Sequence, residues 1–243
     1  FVFLLNWVNL ITVATERQAD RLIKREIKKE KIRIIRSHIN LAKFRPLEKE
    51  KLKQKYRLSN KKVILNYGAM REDKGTTDLF KSIPLVVKEK PSALYIFICR
   101  WKKIEEWYLQ FIKDNKLEKN VKIITDDVAI EEYVNLADLA IFPYQTLTRT
   151  ESNPSCVLEC LACKTPVITT DLKELKEILI DNYDCIMVPP KESIQIAAAT
   201  IALLKDPKKR KNFAEKGIRT AAKFDVAKIT REFLDGYDDL LEE

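Results

Sequence analysis

Two carboxylates eight positions apart, Glu151 and Glu159 in TESNPSCVLECLACKTPVITT, bracket what reads as a helix start. The side-chain oxygen of Asn153 suits an N-cap, where it accepts from the first amides of a helix. Pro154 suits the first helical position, where a missing N–H costs nothing. This spacing predicts Glu151 in the loop before the helix and Glu159 on its second turn. The helix start at Pro154, Ser155 and Cys156 offers unpaired N–H groups and a positive dipole end to a phosphate. Carboxylates on either side of such an anion site can accept hydrogen bonds from two sets of sugar hydroxyls. The chemistry implied is retention of a nucleotide sugar, its diphosphate at the helix start and a hydroxylated ring on each side. Alone, a pair at this spacing is weak, because a chain with 36 Asp and Glu produces one often by chance.

Positioning these residues requires a regular scaffold. Short β-rich runs occur at residues 63–67, 94–99, 121–125, 139–142, 167–170 and 185–188. Helical patterns lie between them at residues 77–88, 104–115, 130–136, 155–163 and 172–180. Strands alternating with helices of that length predict βαβ units and a parallel sheet. Such a sheet binds ligands beyond the carboxyl ends of its strands, at the switch point. Residues 68–75 and 146–153 both fall just beyond strand ends. A closing helix from Val226 carries an apolar stripe of Ile229, Phe233, Tyr237 and Leu240.

Other residues invite chemistry and are better read as scaffold. Cys156, Cys160 and Cys163 have the spacing of an iron–sulfur motif, yet they fall on one stripe of a helix among small and apolar neighbours. Cysteine packs there as a small hydrophobe, and four glycines in the whole chain leave no cofactor loops. Five such cysteines fit a reducing, cytoplasmic setting. His38, the only histidine, reads as a structural hinge residue. Residues 16–62 hold 18 Lys and Arg against 6 Asp and Glu, in a chain whose net charge is +9. That block suits a solvated helix pair or an anionic membrane surface; nucleic acid is not expected, since Phe44 and Tyr56 are its only aromatic stacking positions. The apolar opening FVFLLNWVNLITVA is too short to span a bilayer and lacks the basic beginning of a signal peptide. It reads as a buried strand.

The motifs together resemble the retaining glycosyltransferases of the GT-B fold, specifically the family 4 group. DLAIFPY at residues 138–144 is similar to that family's strand and turn, and ESNPSCVLECLACKTPVITTD to its E-x7-E helix and following strand. Gly68, Met70, Lys74 and Gly75 in YGAMREDKG match its glycine turn and Lys-Gly. RIIRSHINLAKFRP resembles its interdomain segment. The resemblance spans about residues 9 to 243 and implies a Rossmann-like doubly wound parallel α/β sheet, the C-terminal domain of a GT-B fold. Residues 1–40 would be a remnant of the N-terminal acceptor domain with the hinge, 41–225 the donor-binding domain, and 226–243 a helix returning towards the first domain.

The resemblance also implies roles. Lys74 and Glu151 would be catalytic, Lys74 neutralising the diphosphate with Arg71 assisting and Glu151 gripping the donor sugar. Glu159 would take the ribose diol, and Gly68, Asn153, Pro154, Ser155 and Cys156 would complete the donor site. No metal or cofactor is expected beyond the nucleoside diphosphate sugar. The acceptor would be a saccharide or a lipid-linked molecule, with peripheral membrane contact through residues 16–62 at the inner membrane surface. This sequence departs from the family at Ala69, where Arg is common, at Cys99-Arg100-Trp101, a turn usually rich in glycine, and at Lys164, usually Gly. A degenerate nucleotide-sugar-binding or scaffolding domain without turnover is therefore the alternative.

Overall fold

The computed structural model describes residues 2–99, 104–147 and 154–242, and the side chains from residue 4 to 241. Near the start, β1 (Ile11–Val13) and β2 (Ile32–Ile34) pair in parallel, joined through α1 (Glu16–Ile23). After α2 (Lys49–Lys55) come β3 (Lys62–Tyr67), α3 (Thr76–Glu89), β4 (Ala93–Ile98), α4 (Glu106–Asp114) and β5 (Val121–Ile124). The second half continues with α5 (Ile130–Leu136), β6 (Leu139–Phe142), α6 (Ser155–Ala162), β7 (Val167–Thr170), α7 (Lys173–Lys176) and β8 (Ile186–Val188). Helices α8 (Ser193–Lys205), α9 (Pro207–Ala221) and α10 (Val226–Glu242) close the chain.

Strands β3 to β8 form one parallel sheet in the order β5-β4-β3-β6-β7-β8. The order reverses between β3 and β6, which makes their carboxyl ends the switch point of a doubly wound fold. Both faces are covered, so the strands are nearly continuous apolar runs rather than alternating ones. Side chains still alternate between faces. Val63 and Leu65 join a core layer with Val157, Leu158 and Leu161 of α6, while Ile64 joins the opposite layer with Leu79, Phe80 and Ile83 of α3. At the amino end of this sheet, buried Lys53 reaches buried Asp138 at 2.7 Å, and the same carboxylate accepts from the Val63 amide. The Rossmann-like doubly wound α/β sheet expected from the residues is the one observed.

Two local expectations fail. The opening segment forms a 3₁₀ helix over Val2–Trp7, with Trp7 78% exposed, and extended structure begins only at Ile11. Strand β1 pairs only with β2 among the described residues, and the segment before it turns on itself, with the Asn6 carbonyl accepting from Lys31 at 2.7 Å. The interdomain-like segment from Arg33 begins inside β2, where Ile32–Ile34 pairs with Ile11–Val13. The helix expected over 172–180 is a single turn, Lys173–Lys176. Beyond it the Asp184 carboxylate captures the Ile180 amide at 2.9 Å and draws the chain out of helical geometry.

The β1–α1–β2 unit is held to the rest by charge. Arg17 pairs with buried Glu174 at 2.5 Å, and Arg36 with Glu177 at 2.8 Å. Helix α10 lies against the same unit through Gly236, where an added Cβ would sit 2.8 Å from Arg33 and 3.3 Å from Leu10, and through an Arg33–Asp239 ion pair. Its stripe is only half covered: Ile229 is buried and Tyr237 is exposed. Much of the basic block is thus engaged within the chain, Lys43 with Glu131 and Lys55 with Glu132 among others. Among the described residues no helix is long and apolar enough to cross a membrane.

Candidate functional site

A cavity of about 510 Å³ opens at the carboxyl ends of β3, β4 and β6, at the switch point. Three turns build it. The first follows β3 at Gly68, whose φ of +118° suits glycine and leaves nothing within 4 Å of where a Cβ would stand. This turn continues through Lys74 to Gly75, whose φ of +72° ends a short 3₁₀ turn before α3. The second follows β6 at Tyr144. It is tied to the first by Gln145, whose amide donates to the Asp73 carbonyl at 3.0 Å and whose side chain donates to Asp78 at 2.7 Å. The third is the start of α6, which brings Pro154, Ser155, Cys156 and Glu159 to the cavity wall.

Gly68, Lys74, Pro154, Ser155, Cys156 and Glu159, singled out from the sequence, thus line one cavity. The helix begins one residue later than expected. Pro154 takes the N-cap position rather than the first helical one: its ψ of 116° is extended, and its carbonyl already accepts from the Val157 amide at 3.2 Å. Ser155 and Cys156 are then the first helical residues, at the positive end of α6. Glu151 and Asn153 lie outside the described residues, as do Arg100 and Trp101. Arg71 does not line the cavity. Its guanidinium grips Asp73 with two hydrogen bonds, 2.9 and 2.6 Å, and holds that carboxyl below the usual carboxylate range.

The cavity also contains residues that spacing did not reveal. Tyr67, the last residue of β3, directs its hydroxyl to Glu159 Oε2 at 2.6 Å and lies 3.0 Å from the Cys156 carbonyl. Burial raises that phenol well above its ordinary value, with Cys160 and Glu159 adding to the effect, so it stays protonated. Tyr144 places its ring 5.1 Å from Lys74 Nζ and its hydroxyl 3.0 Å from the Cys156 thiol. Burial pushes that thiol up to about 12 despite the Tyr144 hydrogen bond, which removes it as a nucleophile near neutral pH. Cys160 and Cys163 are buried, as the core-packing reading requires. Lys43 and Phe44, from the segment before α2, close the far side. Tyr67 ends β3 and Tyr144 follows β6, so the one signal in the sequence is their place at the strand ends, which does not reveal the partners of their hydroxyls.

A cation, a helix start and a carboxylate surround a switch-point cavity in a Rossmann-like domain, an arrangement suited to an anionic ligand. The chain belongs to the glycosyl transferases group 1 family, whose model matches residues 48–220. It is 24% identical over 92% of its length to the N,N'-diacetylbacillosaminyl-diphospho-undecaprenol alpha-1,3-N-acetylgalactosaminyltransferase of Campylobacter jejuni, of which it spans 58%. An uncharacterized glycosyltransferase of Methanocaldococcus jannaschii is 23% identical over 96% of the chain, which spans 64% of that relative. Among solved structures, the Anabaena HepE protein in complex with UDP and glucose superposes with a TM-score of 0.86 at 19% identity, covering 98% of this chain and 65% of its own. The chain therefore spans about three fifths of the length of these relatives.

Proposed function

We propose that this chain supplies the donor-binding half of a retaining, family 4 glycosyltransferase that transfers a hexose-type sugar from a nucleoside diphosphate sugar to an acceptor. The observation that carries this reading is the convergence of Lys74, the α6 start and Glu159 on one cavity at the switch point. Lys74 neutralises charge as it develops on the diphosphate leaving group, with the dipole end of α6 at Ser155 and Cys156 beside it. Glu159 accepts from the ribose diol and Glu151 from the donor sugar. Arg71 joins the diphosphate only by leaving Asp73. The Anabaena structure with UDP and glucose and the Campylobacter enzyme named for an undecaprenol-linked substrate support a UDP-type donor and a saccharide or lipid-linked acceptor. The proposed setting is cytoplasmic, at the inner membrane surface, with exposed cations of residues 16–62 meeting anionic lipid. An acceptor domain must orient the nucleophile, a contribution worth several kcal/mol of barrier, so this chain alone binds donor without turning it over.

Calorimetry of the 243-residue chain against UDP, GDP, ADP and CDP and their sugar conjugates tests the reading. Saturable binding that Lys74→Ala weakens by about tenfold or more is expected. Absence of binding to every member would overturn it. Ala69 and the Arg71–Asp73 pair favour the degenerate alternative, a binding or scaffolding domain. That alternative requires the full-length parent to bind donor and transfer nothing.

A further inference from the structure

We infer that Tyr67 is a positioning residue that sets the reach of Glu159 into the cavity, and so governs how strongly the site depends on the ribose diol of its ligand. The inference rests on the donor-binding reading above and deepens it. A carboxylate on the second turn of α6 has several staggered rotamers, only some of which place its oxygens at the cavity. Tyr67 restricts that freedom. Its hydroxyl is 2.6 Å from Glu159 Oε2, the short separation typical of a charge-assisted O–H···O bond. The phenol has one proton and two acceptors in range, and the Cys156 carbonyl, 3.0 Å away, is the weaker because it is neutral. The proton therefore goes to Glu159.

Two further contacts fix the phenol itself. The Cys160 thiol lies 4.0 Å away as a donor to the Tyr67 oxygen, which makes a chain from thiol to phenol to carboxylate. The Tyr67 ring packs edge-on against Phe142, centroids 5.4 Å apart. Phe142 belongs to β6 and Tyr67 to β3, so the strands on either side of the switch point set the direction of the hydroxyl. A purely structural tyrosine would need neither the cavity position nor the carboxylate partner; Tyr67 and Glu159 both line the cavity.

The test compares each of UDP, GDP, ADP and CDP with its 2′,3′-dideoxy counterpart by calorimetry, in the wild-type chain, Tyr67→Phe, Glu159→Gln and the double variant. Tyr67→Phe keeps the ring and its Phe142 contact and removes only the hydroxyl. For the wild type, the diol should improve affinity by about 10- to 100-fold. In Tyr67→Phe that preference should shrink by about fivefold or more, with little change for the dideoxy ligand. The double variant should be no worse than Glu159→Gln. An unchanged diol preference in Tyr67→Phe, or equal weakening for both ligands, would overturn the inference and leave donor binding standing. No binding of any diphosphate by the wild type would overturn donor binding and this inference with it. Should Tyr67→Phe not fold, the wild-type phenolic proton is read directly by NMR: a downfield resonance lost in Glu159→Gln is expected, and its persistence there is the contrary result.

Discussion

Gly75 and Pro143 approach so closely that a Cβ on the glycine would fall 1.7 Å from the Pro143 carbonyl oxygen. The turn bearing Lys74 is thereby seated directly on the turn that follows β6. Gly75→Ala combines that overlap with a positive φ and should destabilise the chain by at least about 2 kcal/mol in urea unfolding. A loss within a few tenths would mean that the two turns are not held together. Gly68→Ala, with no atom near its Cβ, should suffer only the backbone strain.

The Lys53–Asp138 pair makes a separate prediction, because it is buried and lies at the far end of the sheet. Removing Lys53 leaves the buried Asp138 carboxylate with the Val63 amide and the charge of Lys49 in place of a direct ion pair. Lys53→Met should cost about 3 kcal/mol or more, read as a lower urea midpoint, while affinity for nucleoside diphosphates stays unchanged. Lost affinity in a folded variant would contradict the placement of the site.

Stability should also depend on alkaline pH through Lys49. Burial pulls this ammonium from 10.5 to about 8, with Asp138 opposing and Lys53 and Arg210 adding. The folded value is the lower, so between about 8 and 10.5 the unfolded chain binds more protons and stability rises with pH. Below that window both states are charged and the cost is fully present; above it both are neutral and it vanishes. The side chain is only partly buried, which limits the effect to about 1–2 kcal/mol. Wild type minus Lys49→Met, followed by denaturant midpoint from pH 7.5 to 10.5, should show that rise; a flat difference would not fit.

The two glutamates separate by ligand. Glu159→Gln should weaken nucleoside diphosphates and their sugar conjugates alike, by about ten- to a hundredfold. Glu151→Gln should weaken only the conjugates. Equal and negligible effects in calorimetry would reject both roles.

Much of this was readable from the residues, for reasons that also explain the failures. Residues 139–142, LAIF, are apolar throughout, and residues 167–170, VITT, are β-branched throughout, because both faces of the sheet are covered. Helix α8 carries no clear helical signal, since its run SIQIAAATIALLK is apolar on most faces and shows little stripe. Lys74 and Glu159 were visible as residue types in order. Tyr67 was not, because its meaning lies in a partner 92 positions away. Arg71 misled in the opposite sense: its partner, Asp73, is only two residues on, but their meeting depends on a 3₁₀ turn that spacing does not announce.

The strand order has a kinetic consequence. Strand β3 finds β4 through a connection the length of one helix, but Ile64 must wait for Leu139 before β6 can join it. Contacts of such sequence separation form late, since loop-closure entropy opposes them until the intervening chain is in place. The cavity lies between those two strands and is complete only once that longer-range pairing has formed. A molecule that fills the cavity therefore binds a state in which β3 and β6 are already paired, and its binding free energy adds to that of the native state.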